Sequence, residues 1–246
     1  MSETATLIAH RGAVRMDREA LMALPVPAAT RTHKPIPHHE VVQALIETLG
    51  FRHIKVVREE FAATEDGAKM FGVLDLDQEF GGCRFSIGVR NANDKSMRLA
   101  MTVGYRVFVC DNMAFKGDFT PVLAKHSSSA NIIDLLSVGV DKMQRNFEPL
   151  IQTVGEWRKV TLADEMAKAI IYEAFVEGHM DIPMKLVNGV HQAYFEPEHD
   201  EFRDRNLWSL SNAFTHGFKD LQPLQQFRAT AKLSPFLDKF NRPFRE

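Results

Sequence analysis

Arg84, Arg90, Arg98 and Arg106 sit in two runs in which apolar and polar residues alternate. In the first run Cys83, Phe85, Ile87 and Val89 point one way, and Arg84, Ser86, Gly88 and Arg90 the other. In the second, Met97 to Val109, Arg98 and Arg106 share the polar side. A period of two marks strands with unlike faces. If the two runs pair, four guanidinium groups line one surface, joined by Lys95 in the connecting loop. Like charges set across a sheet repel, which costs stability unless an anion faces them. The planar donor fork of arginine suits phosphate oxygens. The row therefore points to a polyanion such as nucleic acid. Single-strand binders add aromatic platforms for bases. Tyr105 and Phe108 are the nearby aromatics, and Tyr105 falls on the apolar side. The competing reading is a solvated face, or arginines paired with acids of this chain.

Other chemistry is thinly represented. Asp75 and Asp77 share one strand face and can hold Mg²⁺ between them, with Asp94 and Asp111 as further carboxylates. His39-Glu40 opens like a metalloprotease helix, but Gln43 occupies the second ligand position. His191, His199 and Asp200 are a loose set. The phosphate loops GxGxxG and GxxxxGK[ST] and the elbow GxSxG are missing. No catalytic residue, metal or cofactor is expected, which leans away from an enzyme. Cys83 and Cys110 form no CxxC pair and suggest a reducing compartment, hence the cytoplasm. Met1 to Ala9 lacks the pattern of a signal peptide, and no apolar run is long enough for a membrane span.

The formal charge of −2 conceals three blocks. Residues 84–125 carry seven Lys/Arg against three Asp/Glu, and residues 222–246 five against two. Residues 161–204 carry ten Asp/Glu against three Lys/Arg. A basic middle, an acidic arm and a basic tail follow.

The elements that must position these residues read as α+β. Asp17 caps a short helix that Pro25 stops, and four prolines make 25–37 an extended linker. A helix over 38–49 should end on Gly50 as a left-handed cap. An antiparallel sheet of about four to five strands is expected within residues 50–112, with a hairpin turn at Glu65-Asp66-Gly67 and a bulge or bend at Gly104. One sheet face packs on the core under a long helix, and the other is open or partner-covered. Ile133, Leu136, Val140, Met143, Phe147, Leu150, Val154 and Trp157 form that helix's seam, alternating steps of three and four. The seam lies on the sheet or joins subunits of a homo-oligomer, and Pro149 should kink or split it. Thr161 to Asp164 reads as a capping box. Helices near 161–178, 183–195 and 205–219 follow, then a loose proline-bearing tail. The chain is expected to be one domain over residues 1–246, with sub-regions 38–126, 127–220 and 221–246.

Three segments carry a family resemblance. Gly88-Val-Arg90-Asn91-Ala-Asn-Asp94-Lys95-Ser96 is similar to a G-x-R-N-S-x-D-x-S signature, with Ala92 in place of serine. Gly104 to Gly117, which includes Cys110, Asp111 and Asn112, resembles G-x-x-V-F-V-C-x-N-x-x-F-x-G. Trp208 to Thr215, which includes Asn212, resembles W-x-L-x-N-A-x-T. The chain thus resembles the phage and plasmid-like family, domain of unknown function 932. The resemblance implies a mobile-element protein of uncharacterised activity. A sheet followed by a long helix is also similar to the core of single-strand-annealing recombinases, an analogy of fold only. With the arginines, it implies single-stranded DNA binding or annealing through Arg84, Arg90, Lys95, Arg98 and Arg106. The alternative is a module that binds a host-defence protein through the acidic half. A metal-dependent nuclease comes third. Asn91, Asp94 and Asn112 also admit a structural role as turn-capping residues.

Overall fold

The computed structural model describes residues 13–31, 33–110, 112–115, 122–124, 132–221 and 223–241. Its fold is α+β, a seven-stranded antiparallel sheet followed by helices. The strands are β1 (Ala13–Met16), β2 (Val56–Thr64), β3 (Lys69–Phe80), β4 (Cys83–Ala92), β5 (Leu99–Val107), β6 (Met113–Phe115) and β7 (Val122–Ala124). They lie in sequence order from β1 to β6, and β7 shares the β5 edge with β6. The expected sheet lacked β1, β6 and β7. A three- or four-residue strand shows too little alternation to be read alone.

The two arginine-bearing runs do pair. Cys83 faces Val107, Phe85 faces Tyr105 and Ile87 faces Val103. The β3–β4 hairpin turns on Gly81-Gly82, both at positive φ, as a two-residue turn between twisted strands requires. The β5 strand stops at Val107, two residues short of the expected Val109, because the chain folds back and Val107 N–H donates to the Asn112 carbonyl. Gly104 is neither bulged nor bent. It sits in register opposite Phe115, where a Cβ would lie 2.0 Å from the Ala114 carbonyl oxygen. Close backbone approach is what selects glycine there.

Ahead of the sheet, α1 (Arg18–Ala23) starts on Asp17, whose carboxylate accepts from Ala20 N–H. The next helix, α2 (His38–Gly50), runs on through Gly50, and the left-handed residue is His53, φ 58°. The apolar sheet face carries the main core. The expected long helix is two helices, α3 (Ile132–Gln144) and α4 (Phe147–Lys159). Pro149 falls in the first turn of α4, where its missing N–H has no helical partner to lose. Six seam residues are buried in the chain's own core and Phe147 packs against it, with its ring 4.0 Å from that of Phe85. Ile133 alone of the eight is exposed, at 59%. The seam is internal, not a subunit joint.

The acidic half holds α5 (Asp164–Phe175), α6 (Val187–Phe195) and α7 (Leu207–Phe218). No capping box forms at Thr161, which instead makes a β-bridge with Asn206. The expected loose tail contains α8 (Pro223–Leu237), with Ala229, Leu233, Phe236 and Leu237 buried. Among the described residues no helix is long and apolar enough to cross a membrane.

Two glycines separate the structural claims. Gly104→Ala forces the β5–β6 backbones apart and should lower stability by about 1–3 kcal/mol. Gly155→Ala, in a helix interior with nothing within 4 Å, should raise it by roughly 0.5–1 kcal/mol. Urea midpoints check both, and a neutral Gly104→Ala would rule out the close approach.

Candidate functional site

The arginines divide into two groups. Arg84 and Arg106 stand opposite each other, as a paired register demands. Arg106 is buried, 3% exposed, and its Nε lies 2.8 Å from Asp75 on β3. Its Nη2 donates to Glu60 on β2 at 3.3 Å, and Glu60 also pairs with Arg58 at 2.6 Å. Ser86 donates to the other Asp75 oxygen at 2.6 Å. One guanidinium thus ties three strands through charge. Arg84 pairs with Glu79 and lies over the Phe108 ring, 5.1 Å from its centroid. The acids that answer these arginines come from neighbouring strands, not from the acidic helical half. Nor is the polar face open. Ser86 and Thr102 are buried, and Ala62, Val73, Met113 and Phe115 form a second apolar cluster there.

Arg90, Lys95 and Arg98 lie at the other end of the β4–β5 hairpin, with Arg90 about 20 Å from Arg84 at about 3.3 Å per residue. Lys95 and Arg98 are exposed, and Arg98 lies outside β5. Among the described residues these three make no ion pair. Arg90 is half-buried, and its Nε is buried without a hydrogen-bond partner. Burial holds its pKa below the usual arginine value, and the charge of Arg228 on α8 pushes it further down.

The hairpin loop between these cations is built by the residues of the first motif. Asp94 accepts from the amide and hydroxyl of Ser96 and pairs with Lys69 at 3.5 Å. Asn91 Nδ2 donates to the Ile36 carbonyl and to His38 Nδ1, each at 2.9 Å. His38 Nε2 in turn donates to the Gly67 carbonyl at 2.9 Å. This knot fastens the proline-rich linker to the sheet, so Asn91 and Asp94 position the chain.

The second and third motifs meet in space. Asn112 Nδ2 donates to the Asn212 carbonyl at 3.1 Å and toward its side-chain oxygen at 3.3 Å, across a hundred residues of sequence. Asn212 Nδ2 donates to the Trp208 carbonyl at 3.0 Å. Trp208 is buried between the Tyr105 ring, 5.7 Å away, and the Arg158 guanidinium at 5.0 Å. Beside them, between α6, α7 and the turn after β5, lies a cavity of about 170 Å³. Cys110, Asn112, Ser209, Asn212, His199 and His216 reach its wall. His216 is exposed at the rim, yet partial desolvation and then Lys219 hold its pKa below the usual histidine value. Asp111 lies outside the described residues. No signal in the sequence foretold this cavity, because its walls come from segments far apart in the chain.

The carboxylates expected to hold a metal do not converge. Asp75 is committed to Arg106, and Asp77 accepts from the Lys55 backbone at 3.1 Å. His199 lines the cavity, while His191 stacks on Phe195 and Asp200 pairs with Arg203. Among the described residues the one group spaced for a cation is Glu173, Glu177 and His179, on the surface. Cys83 is buried, its thiol pushed up to about 12 by desolvation, so it is not a nucleophile.

Asp75→Ala removes the closer of the two carboxylates that answer a buried guanidinium and should cost about 3–5 kcal/mol in urea unfolding. Arg84→Ala breaks a surface pair and should cost about 1 kcal/mol or less. Equal losses would show that burial does not distinguish the two arginines. Compared with known proteins, the chain matches no protein-family model, no curated protein and no solved structure.

Proposed function

We propose that this chain binds nucleic acid, single strands above all, and that it belongs with the phage and plasmid-like proteins its motifs resemble. Arg90 carries the reading. A desolvated guanidinium with a free Nε and a second arginine for company is a cation waiting for an anion. Lys95 and Arg98 extend the same basic end. Phe71 stands directly opposite Arg90 on the neighbouring strand and is only partly buried, which suits a base stacked beside a phosphate contact. Arg84 and Arg106 drop out of the proposed surface, because acids of the chain already answer them. Copies that assemble for annealing would need a surface other than the 133–157 seam.

The second reading, a module that captures a host protein, rests on the acidic half. There Tyr172 on α5 and Val176 at its C-terminal cap lie exposed, one turn apart. The nuclease reading has least support, since its carboxylates are scattered and partly engaged.

Anisotropy of a labelled single-stranded oligonucleotide tests the proposal. Binding should be present at low salt, fall as salt rises and exceed that of duplex. Arg90→Ala combined with Arg98→Ala removes two phosphate contacts. It should weaken binding about tenfold or more and flatten the log–log salt slope by about 1.4. Arg84→Ala should leave both unchanged. Binding insensitive to the double variant would displace the surface, and no binding at low salt would shift the function to a protein partner.

A further inference from the structure

We infer that the cavity between α6, α7 and the turn after β5 is a binding site for a cationic, hydrogen-bond-donating head group, an amine or guanidinium.

Two buried polar side chains line the cavity, each with an atom left unpaired. Asn112 is 3% exposed and Ser209 is 2% exposed, and both line the cavity. The Asn112 amide orientation follows from its partner. The Asn212 carbonyl can only accept, so Nδ2 is the atom that faces it. That leaves Asn112 Oδ1 as a buried acceptor with no hydrogen bond. Ser209 uses its backbone N–H on the Asn206 cap, and its hydroxyl has no partner either. A buried polar atom left unsatisfied costs about 1–3 kcal/mol, and two of them on one cavity wall mark a place where a ligand recovers that cost.

Charge then sets the sign of the ligand. Glu196 and Glu198 stand at the mouth, exposed, and neither has an ion pair among the described residues. Of the cations on this side, Lys219 donates to the Cys110 carbonyl at 2.6 Å, Arg205 donates to the Tyr194 and Phe195 carbonyls, and Lys168 lies over the Phe195 ring. His216 is held toward its neutral form. The wall thus offers an acceptor and a hydroxyl at the floor and two carboxylates at the mouth. Among the described residues the unsatisfied buried side-chain atoms on this wall are an amide oxygen and a hydroxyl, which favour a donor over an anion. A bare divalent ion does not suit the spacing either, because the cavity's His, Glu and Cys atoms do not gather within metal-ligand reach of one another among the described residues. The volume of about 170 Å³ exceeds the ~150 Å³ known to admit benzene, so it holds a head group of a few heavy atoms with a tail left outside.

Such a head group comes from a free small molecule or from an arginine side chain of a peptide. Calorimetric titration of the full chain with agmatine and with N-acetylarginine amide separates the two, and N-acetylcitrulline amide is the uncharged control. Saturable binding of agmatine alone identifies a free ligand, and tight binding of the arginine amide identifies a side chain. In either case the citrulline compound should bind about tenfold or more weakly. Ser209→Ala removes one partner and should weaken binding about fivefold or more. Glu196→Gln with Glu198→Gln, both at exposed positions where folding is safe, should weaken it about tenfold. Circular dichroism confirms that each variant is folded. No saturable heat with either cation at millimolar concentration overturns the inference. So does citrulline amide binding as well as arginine amide, or affinity indifferent to the glutamine pair.

Discussion

A guanidinium buried inside a sheet governs much of this molecule. Arg106 projects from β5 across β4 to Asp75 and Glu60. Ser86, on the strand between, faces Asp75 in register and donates to it. Moving two charges out of water costs several kcal/mol per ion, and the attraction recovers this only with good geometry. Net stability is therefore not what such a network chiefly supplies. Register is. Sliding β5 by one residue would turn Arg106 into the apolar core and Tyr105 or Val107 onto the ionic face. The alternation that makes β4 and β5 legible as strands leaves their pairing open to slippage, and the buried charge closes that freedom.

Once register is set, the two ends of β5 take on different characters. At its start, the β4–β5 hairpin carries Arg90, Lys95 and Arg98, which make no ion pair among the described residues. At its end, the chain folds back through Asn112 and meets α7. The edge of β5 is shared by β6 and β7, so neither end of that edge remains bare for its full length. The aromatic train from Phe147 through Phe85 and Phe80 to Tyr105 and Trp208 runs under the same strands. It couples the sheet to α4 and α7, so the cavity wall on α7 is placed by the core rather than by a loop.

What could be read in the sequence was local. Asp17 as a cap, the alternation of 83–90 and 99–107, and the seam of 133–157 all depend on neighbours within a turn or a strand. What could not be read was who answers whom. Glu60 lies 46 residues from Arg106, and Asn112 a hundred from Asn212. Neither pairing leaves a mark in the spacing. The tail hides its helix for a different reason. Pro223 and Pro235 look like helix breakers, yet Pro223 opens α8, where no N–H is needed, and Pro235 falls in its last turn. Gly81-Gly82 was available as a turn signal and identifies the β3–β4 hairpin on its own.

Asn91 and Asn112 show why residue type underdetermines role. Each donates through Nδ2 to a backbone carbonyl of a distant segment, and each leaves Oδ1 buried without a partner. Their chemistry is the same and their surroundings are not. Asn91 lies fully buried in the knot formed with His38 and the linker. Its idle acceptor is a cost borne by the two bonds that hold Ile36 and His38 in place. Asn112 lies against open space that a second idle group, Ser209, also faces. An acceptor enclosed by packing can only be tolerated, whereas one beside a cavity can be answered from outside. The volume next to the atom, and not the atom, separates a positioning asparagine from a ligand-binding one.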